Sequence, residues 1–86
     1  MNDISKDVID SLTTAAVLLG YKVDSSDSVV DSRCLIKVFN AKSNCSVGIY
    51  RMYDYVYKVW RNKDGQYEEG THSDATWAAR GFGKLL

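Results

Sequence analysis

Two patterns divide this chain: apolar residues at helical spacing near its start, and alternation of apolar and polar positions through its middle. Ile4, Val8, Leu12, Ala15 and Leu19 form one stripe, widened by Ile9 and Ala16, and predict an amphipathic helix over residues 3–19. Asp3 can cap its start, Asp7 lies where the positive end of the helix dipole favours an acid, and Gly20 supplies a stop. Tyr21-Lys22-Val23 reads as the start of an extended segment. Residues 24–32, rich in Ser and Asp around Val29-Val30, read as a surface loop.

From residue 33 the period becomes two. Residues 33–39, 45–52 and 55–61 predict three antiparallel strands, joined by turns at 40–44 and at Tyr53-Asp54. Asn62-Lys63-Asp64-Gly65 is the clearest turn signal, because Asp-Gly suits positive φ, and residues 66–69 predict a short fourth strand at an edge. His72 or Ser73 can cap a last helix that begins near Asp74 and carries Ala75, Trp77, Ala78 and Ala79. The expected architecture is a single α+β domain over residues 1–86, with an N-terminal helix, a three- to four-stranded antiparallel meander and a C-terminal helix. Both helices are expected on one sheet face.

Alternation also assigns faces. Cys34, Ile36, Val38, Cys45, Val47 and Ile49 make one apolar face. A tight second turn sets Ile49 near Tyr57 and Val47 near Val59, which adds Tyr55, Tyr57 and Val59 to it. Lys37, Phe39, Ser46, Gly48, Tyr50, Val56, Lys58 and Trp60 fall on the opposite, open face. In this register Cys34 lies nearer Ile49 and Cys45 nearer Val38, so the two cysteines are not opposed and read as separate buried thiols.

Composition narrows the function classes. The 86 residues suffice for one sheet and one or two helices. Eleven basic and eleven acidic residues give no net charge, which excludes a polycation or an acidic mimic of DNA at the level of the whole chain. No apolar run approaches the roughly 18–20 residues of a membrane span, and no signal-peptide core opens the sequence. A cytoplasmic protein with no membrane partner is expected. Two cysteines and one histidine, His72, are too few for a zinc site, and no metal or cofactor is expected.

The charge is unevenly laid out. Residues 33–63 carry Arg33, Lys37, Lys42, Arg51, Lys58, Arg61 and Lys63 against Asp54 alone, a net charge of +6. Residues 1–31 hold six acids and two bases, and residues 64–86 four acids and two bases. Phe39, Tyr50, Tyr53, Tyr55, Tyr57 and Trp60, six of the ten aromatics, also lie in the basic stretch. Cations among flat π surfaces suit either a protein interface, where aromatics and Arg are enriched, or a phosphate backbone with unstacked bases. Lys and Arg on strands also protect sheet edges, and acidic flanks can neutralise a basic centre within a fold. Asp3, Asp7 and Asp10 line one side of the first helix, where a solvated polar face is the plainer reading.

Catalytic patterns are weak. His72, Ser73 and Asp74 are sequence neighbours at a helix start, which does not build a relay. Gly81-Phe82-Gly83 lacks the spacing and preceding strand of a phosphate loop. Glu68 and Glu69 are adjacent on a strand and point to opposite faces. Gly48-Ile49-Tyr50 and Tyr55-Val56-Tyr57 resemble the paired tripeptides of GIY-YIG nucleases but stand too close together, and the second reads YVY.

The helix, three strands, helix order resembles the double-stranded-RNA-binding domain, which implies RNA contact through the second helix. Where that family places a lysine cluster, this chain has Ser73-Asp74-Ala75-Thr76-Trp77. Residues 55–86 resemble the sheet-plus-helix modules of integrase-arm domains, which implies DNA contact through the sheet. The whole is similar in type to small accessory proteins of bacteriophages and mobile elements, many of which bind and inhibit a host machine.

The expectation is therefore a non-enzymatic binding module of the phage- or mobile-element-accessory type. It docks on a host protein machine through Lys37, Tyr50, Lys58, Trp60, Arg61 and Lys63, with Trp60 exposed. The alternative is DNA or RNA binding by the same basic, aromatic sheet face. A homodimer through edge strands is a further option.

Overall fold

The computed structural model describes residues 4–23 and 33–86. Its first helix, α1 (Lys6–Leu18), begins about one turn later than the apolar pattern predicts and is capped by Ser5, whose hydroxyl accepts the Val8 N–H at 3.3 Å. Asp3 and the loop expected over residues 24–32 lie outside the described residues. Gly20, at φ +96, ends the helix as expected.

Two apolar stripes overlap on α1, and the core takes members of both: Ile4 and Leu12 from the predicted stripe, Ile9 and Ala16 from its widening. Ala16 is fully buried and Ile9 and Leu12 pack against the core, whereas Val8, Ala15 and Leu19 are exposed. The chain then turns so that Tyr21 is buried, and Tyr21 Oη donates to Cys45 Sγ at 3.7 Å.

Five strands, one more than the three or four expected, form a single antiparallel sheet in sequence order. They are β1 (Lys22–Val23), β2 (Cys34–Asn40), β3 (Cys45–Tyr53), β4 (Val56–Lys63) and β5 (Gln66–His72). The extra strand is β1, whose Lys22 and Val23 pair with Phe39 and Val38. Strand β5 runs three residues past the expected end, through His72.

The turns that set register use the residue types suited to them. Asp64 and Gly65 hold φ +53 and +82, the two-residue hairpin geometry that Asp-Gly predicts. In the β3–β4 hairpin, however, the turn falls on Asp54-Tyr55, not Tyr53-Asp54. Ile49 therefore faces Val59 instead of Tyr57, and Val47 faces Arg61 instead of Val59. The slip is by two residues, so each side chain keeps its face. Tyr55, expected in the core, is exposed in the turn at φ +60. A bulge in β2 moves Cys34 opposite Tyr50, and Cys45 pairs with Asn40; both cysteines are buried free thiols.

Helix α2 (Ala75–Leu85) is capped by Asp74, neither by Ser73 nor by His72. One carboxylate oxygen of Asp74 accepts the N–H groups of Thr76 and Trp77 at 2.7 and 3.3 Å, and the helix continues through Gly81 and Gly83. Trp77 is exposed, with the Arg80 guanidinium 5.0 Å from its ring centroid. Helix α1 packs on β1 and β2, α2 packs on β3, β4 and β5, and the helices touch each other. Both thus cover one face, and between them and the sheet lie Ala16, Val38, Val47, Ile49, Tyr57, Val59, Ala78 and Phe82.

Tyr57 brings a hydroxyl into this core, where its Oη accepts the Ile4 N–H at 3.2 Å. Replacing Tyr57 by Phe leaves that buried amide without this acceptor and should cost about 1–2 kcal/mol, read from urea unfolding. Phe82→Ala, which empties a fully buried site under the sheet, should cost about 3–5 kcal/mol in the same measurement.

Candidate functional site

The face of the sheet turned away from the helices is built chiefly by alternate residues of four strands. Lys37 on β2, Gly48 and Tyr50 on β3, and Lys58 and Trp60 on β4 lie on it, joined across the last ladder by Tyr67, Glu69 and Thr71 of β5. A chain of contacts runs through these side chains. Lys37 Nζ sits 5.9 Å from the Trp60 ring centroid, and Trp60 stacks on Tyr67 at 6.2 Å and 22°. Tyr67 Oη donates to Glu69 Oε2 at 2.8 Å, and the same oxygen lies 3.4 Å from Lys58 Nζ. Lys58 Nζ in turn stands 6.0 Å from the Tyr50 centroid.

Trp60 is the floor of this surface, not its exposed contact. It retains 8% exposure, because it faces Gly48 on β3 and its indole lies flat across that residue. A Cβ on Gly48 would stand 2.7 Å from Trp60 Cζ2, so only glycine admits the ring. Lys37 and Tyr67 close over it from the flanking strands. Trp60 Nε1 is buried with no hydrogen-bond partner among the described residues.

The six residues singled out in the sequence do not form one patch. Lys37, Tyr50, Lys58 and Trp60 come together, while Arg61 and Lys63, at odd positions of β4, alternate to the helix-bearing face. There Arg61 pairs with Glu68 of β5 and lies near Tyr21. Sequence reasoning missed Tyr67 and Glu69 as members of the open face. The signal was present: a two-residue Asp64-Gly65 hairpin forces Asn62 opposite Tyr67, Arg61 opposite Glu68 and Trp60 opposite Glu69.

Protonation follows from these contacts. Burial pushes the Tyr67 phenol up to about 12, helped by its hydrogen bond to Glu69. The hydrogen bond from Tyr67 holds the Glu69 carboxyl below its ordinary value, with Lys58 adding to the effect. Burial likewise raises Tyr21 to about 12, followed by its bond to Cys45.

Two further surfaces bracket the face. At the β3–β4 tip Met52, Tyr53 and Tyr55 are all exposed, Tyr53 by 68%. Arg33, Arg51 and Lys58 surround Tyr50 in a recess of about 180 Å³ beside it. At the far end of the sheet, Val17, Leu18 and Leu19 of the α1 terminus are exposed, Leu18 by 81%. A separate cavity of about 260 Å³ lies between β5 and α2, with Val59, Gly70, Gly81 and Leu85 in its lining and Glu68, His72 and Lys84 around it. Among the described residues no three His, Cys, Asp or Glu side chains gather as a metal site, and no helix is long and apolar enough to cross a membrane.

No protein-family model, no curated protein and no solved structure matches the chain.

Gly48→Ala should cost about 1–3 kcal/mol in urea unfolding by forcing the Trp60 ring off β3. Alkaline pH should act through the two raised phenols. Each holds its proton more tightly folded than unfolded, so its stabilising contribution is complete below pH 10 and is lost as pH rises through about 12. The urea midpoint should therefore fall between those limits, and Tyr21→Phe should reduce the slope.

Proposed function

We propose that this chain is a non-enzymatic protein-binding module, an accessory protein that docks on and modulates a larger protein machine through its open sheet face. One observation carries the reading: the helices leave this face uncovered, and its cations already have partners within the chain. Lys58 is matched by Glu69, Arg61 on the opposite face by Glu68, and Lys37 lies over Trp60. The two acidic residues of β5 thus offset two charges of the +6 stretch, and what the open face offers outward is aromatic surface with Lys58 neutralised by Glu69 and Lys37 held over Trp60. Such surfaces suit a protein partner better than a phosphate backbone, which draws affinity from cations that exchange counterions for phosphate.

Tyr50, Tyr67, Lys37 and Lys58 are the contact residues in this reading, and Trp60 supports them from beneath. The exposed Met52, Tyr53 and Tyr55 extend the surface beyond the end of the sheet. The recess formed by Arg33, Arg51 and Lys58 around Tyr50 favours the second reading, nucleic-acid contact, with Tyr50 stacking on a base.

Fluorescence anisotropy of labelled single- and double-stranded DNA and RNA at two salt concentrations separates the two. The protein-docking reading expects no submicromolar binding at either salt. Binding that collapses as salt rises would replace it with the nucleic-acid reading. Immobilised wild-type protein should then retain a partner from a host extract, and Tyr50→Ala should weaken that retention about tenfold while leaving the unfolding free energy from urea within about 0.5 kcal/mol of wild type.

Tyr55→Gly gives an independent handle. Relieving a non-glycine residue at φ +60 should stabilise the fold by about 1 kcal/mol, and removing the exposed ring should weaken partner retention. Unchanged retention would exclude the hairpin tip from the surface.

A further inference from the structure

Among the described residues β5 is paired on one side only, and its seven residues hold no proline. Hairpin geometry states which backbone groups it offers. Lys63 and Gln66 flank the two-residue turn and form a hydrogen-bonded pair, so Gln66, Glu68, Gly70 and His72 direct their N–H and C=O groups toward β4. Tyr67, Glu69 and Thr71 direct theirs outward. This is a free template for one more strand.

We propose that the added strand is β5 of a second copy, joined antiparallel about a two-fold axis at Gly70, so that the two sheets become one of ten strands. The register is chosen by charge. A two-fold axis makes the residue on it meet itself, and outward hydrogen bonding within the strand allows axes at Glu68, Glu69 or Gly70. The first two set like carboxylates directly opposite each other, and Glu69 is held in its charged form by Tyr67 and Lys58. The axis at Gly70 brings no side chain against itself. It pairs Glu68 with His72 of the other copy twice, and Glu69 with Thr71 twice, so that a carboxylate faces an imidazole N–H donor at both ends.

The same axis accounts for the glycine. Gly70 lies mid-strand without a positive φ, and a Cβ there would meet only His72 Nε2, at an ordinary 3.6 Å. Nothing among the described residues of one chain requires glycine at a position where it weakens a strand. In the dimer the position is the axis, where any side chain meets its own copy and glycine brings none. With five residues paired and four hydrogen bonds between copies, the association is a weak one, in rapid exchange.

Sedimentation velocity from about 10 µM to about 1 mM tests the association, because the weak-dimer range lies there. The expected result is a mass that rises from 9.7 kDa toward twice that value with concentration. Thr71→Pro removes one outward N–H per copy and leaves the β4–β5 bonds in place, so it should hold the protein monomeric throughout. Register is read by crosslinking under mild oxidation. Gly70→Cys places two sulfurs across the axis, where paired Cα atoms stand about 4.5–5.5 Å apart and a disulfide closes without strain. Gln66→Cys places them more than about 20 Å apart. The native Cys34 and Cys45 are buried and add little background.

Gly70→Cys should therefore crosslink at least about tenfold faster than Gln66→Cys, and this comparison holds even if Thr71→Pro fails to fold. A mass of one chain at every concentration would overturn the proposal. So would equal crosslinking of the two cysteine variants, or a dimer that a folded Thr71→Pro variant leaves intact; the last outcome would assign the contact to the exposed apolar end of α1.

Discussion

The Asp64-Gly65 turn constrains more of this molecule than its two residues suggest. At φ +53 and +82 it closes β4 onto β5 with no choice of register, and that register sets every contact across the last ladder. Glu68 falls opposite Arg61 and Glu69 opposite Trp60, diagonal to Lys58. Tyr67 falls where its ring can cover the indole of Trp60. A slip of one residue would send Tyr67 and Glu69 to the helix side and leave Trp60 bare. The two ion pairs between the basic meander and its acidic flank are therefore a consequence of one turn.

Strand β4, between β3 and β5, carries the opposite demands of the two faces. Its odd positions, Tyr57 and Val59, build the core against Phe82 and Ala78, and its even positions, Lys58 and Trp60, build the open face. The aromatic on each face brings a polar group that has to be placed. Tyr57 solves this with the Ile4 N–H, which ties the entry to α1 into the sheet. Trp60 does not, since Nε1 is buried over Gly48 without an acceptor among the described residues. An orphan donor of this kind costs on the order of 1–3 kcal/mol, and stacking on Tyr67 and Lys37 offsets part of it.

Much of this was legible in the sequence, and where reading failed the reasons are physical. Face assignments for β2, β3 and β4 survived a two-residue error in the second turn, because period two protects them against even slips. The exception was Tyr55, a strand-type residue placed in a turn at positive φ, which no propensity anticipates. The stripe on α1 failed for a different reason. Ile4 and Leu12 of the predicted stripe reach the core, but Val8, Ala15 and Leu19 are as apolar as Ile9 and Ala16, and only packing against the sheet chooses between them. Burial of Trp60 was hidden for the same kind of reason, because it depends on the absence of a side chain at Gly48 and on Tyr67 arriving from β5. Arg61 and Lys63 were grouped with Trp60 by proximity in sequence, which alternation along a strand does not respect.

The two ends of the sheet are built to different rules. At one end the turns are made from Asn and Asp-Gly and fastened to each other: Asp64 N–H donates to the Asn44 carbonyl at 3.1 Å, and Asn44 Nδ2 donates to Asp64 Oδ1 at 3.3 Å. These residue types tolerate positive φ, and the cross-bonds hold the register of β3, β4 and β5 together. At the other end the turn holds a tyrosine at φ +60 and presents Met52, Tyr53 and Tyr55 to solvent. A turn selected only for stability would carry Asn or Gly there, as the opposite end does. Local strain and exposed aromatic surface coincide at the end where Arg33, Arg51 and Lys58 gather around Tyr50. The secured end fixes the geometry of the sheet, and that geometry holds a costly arrangement of rings and cations in place at the other.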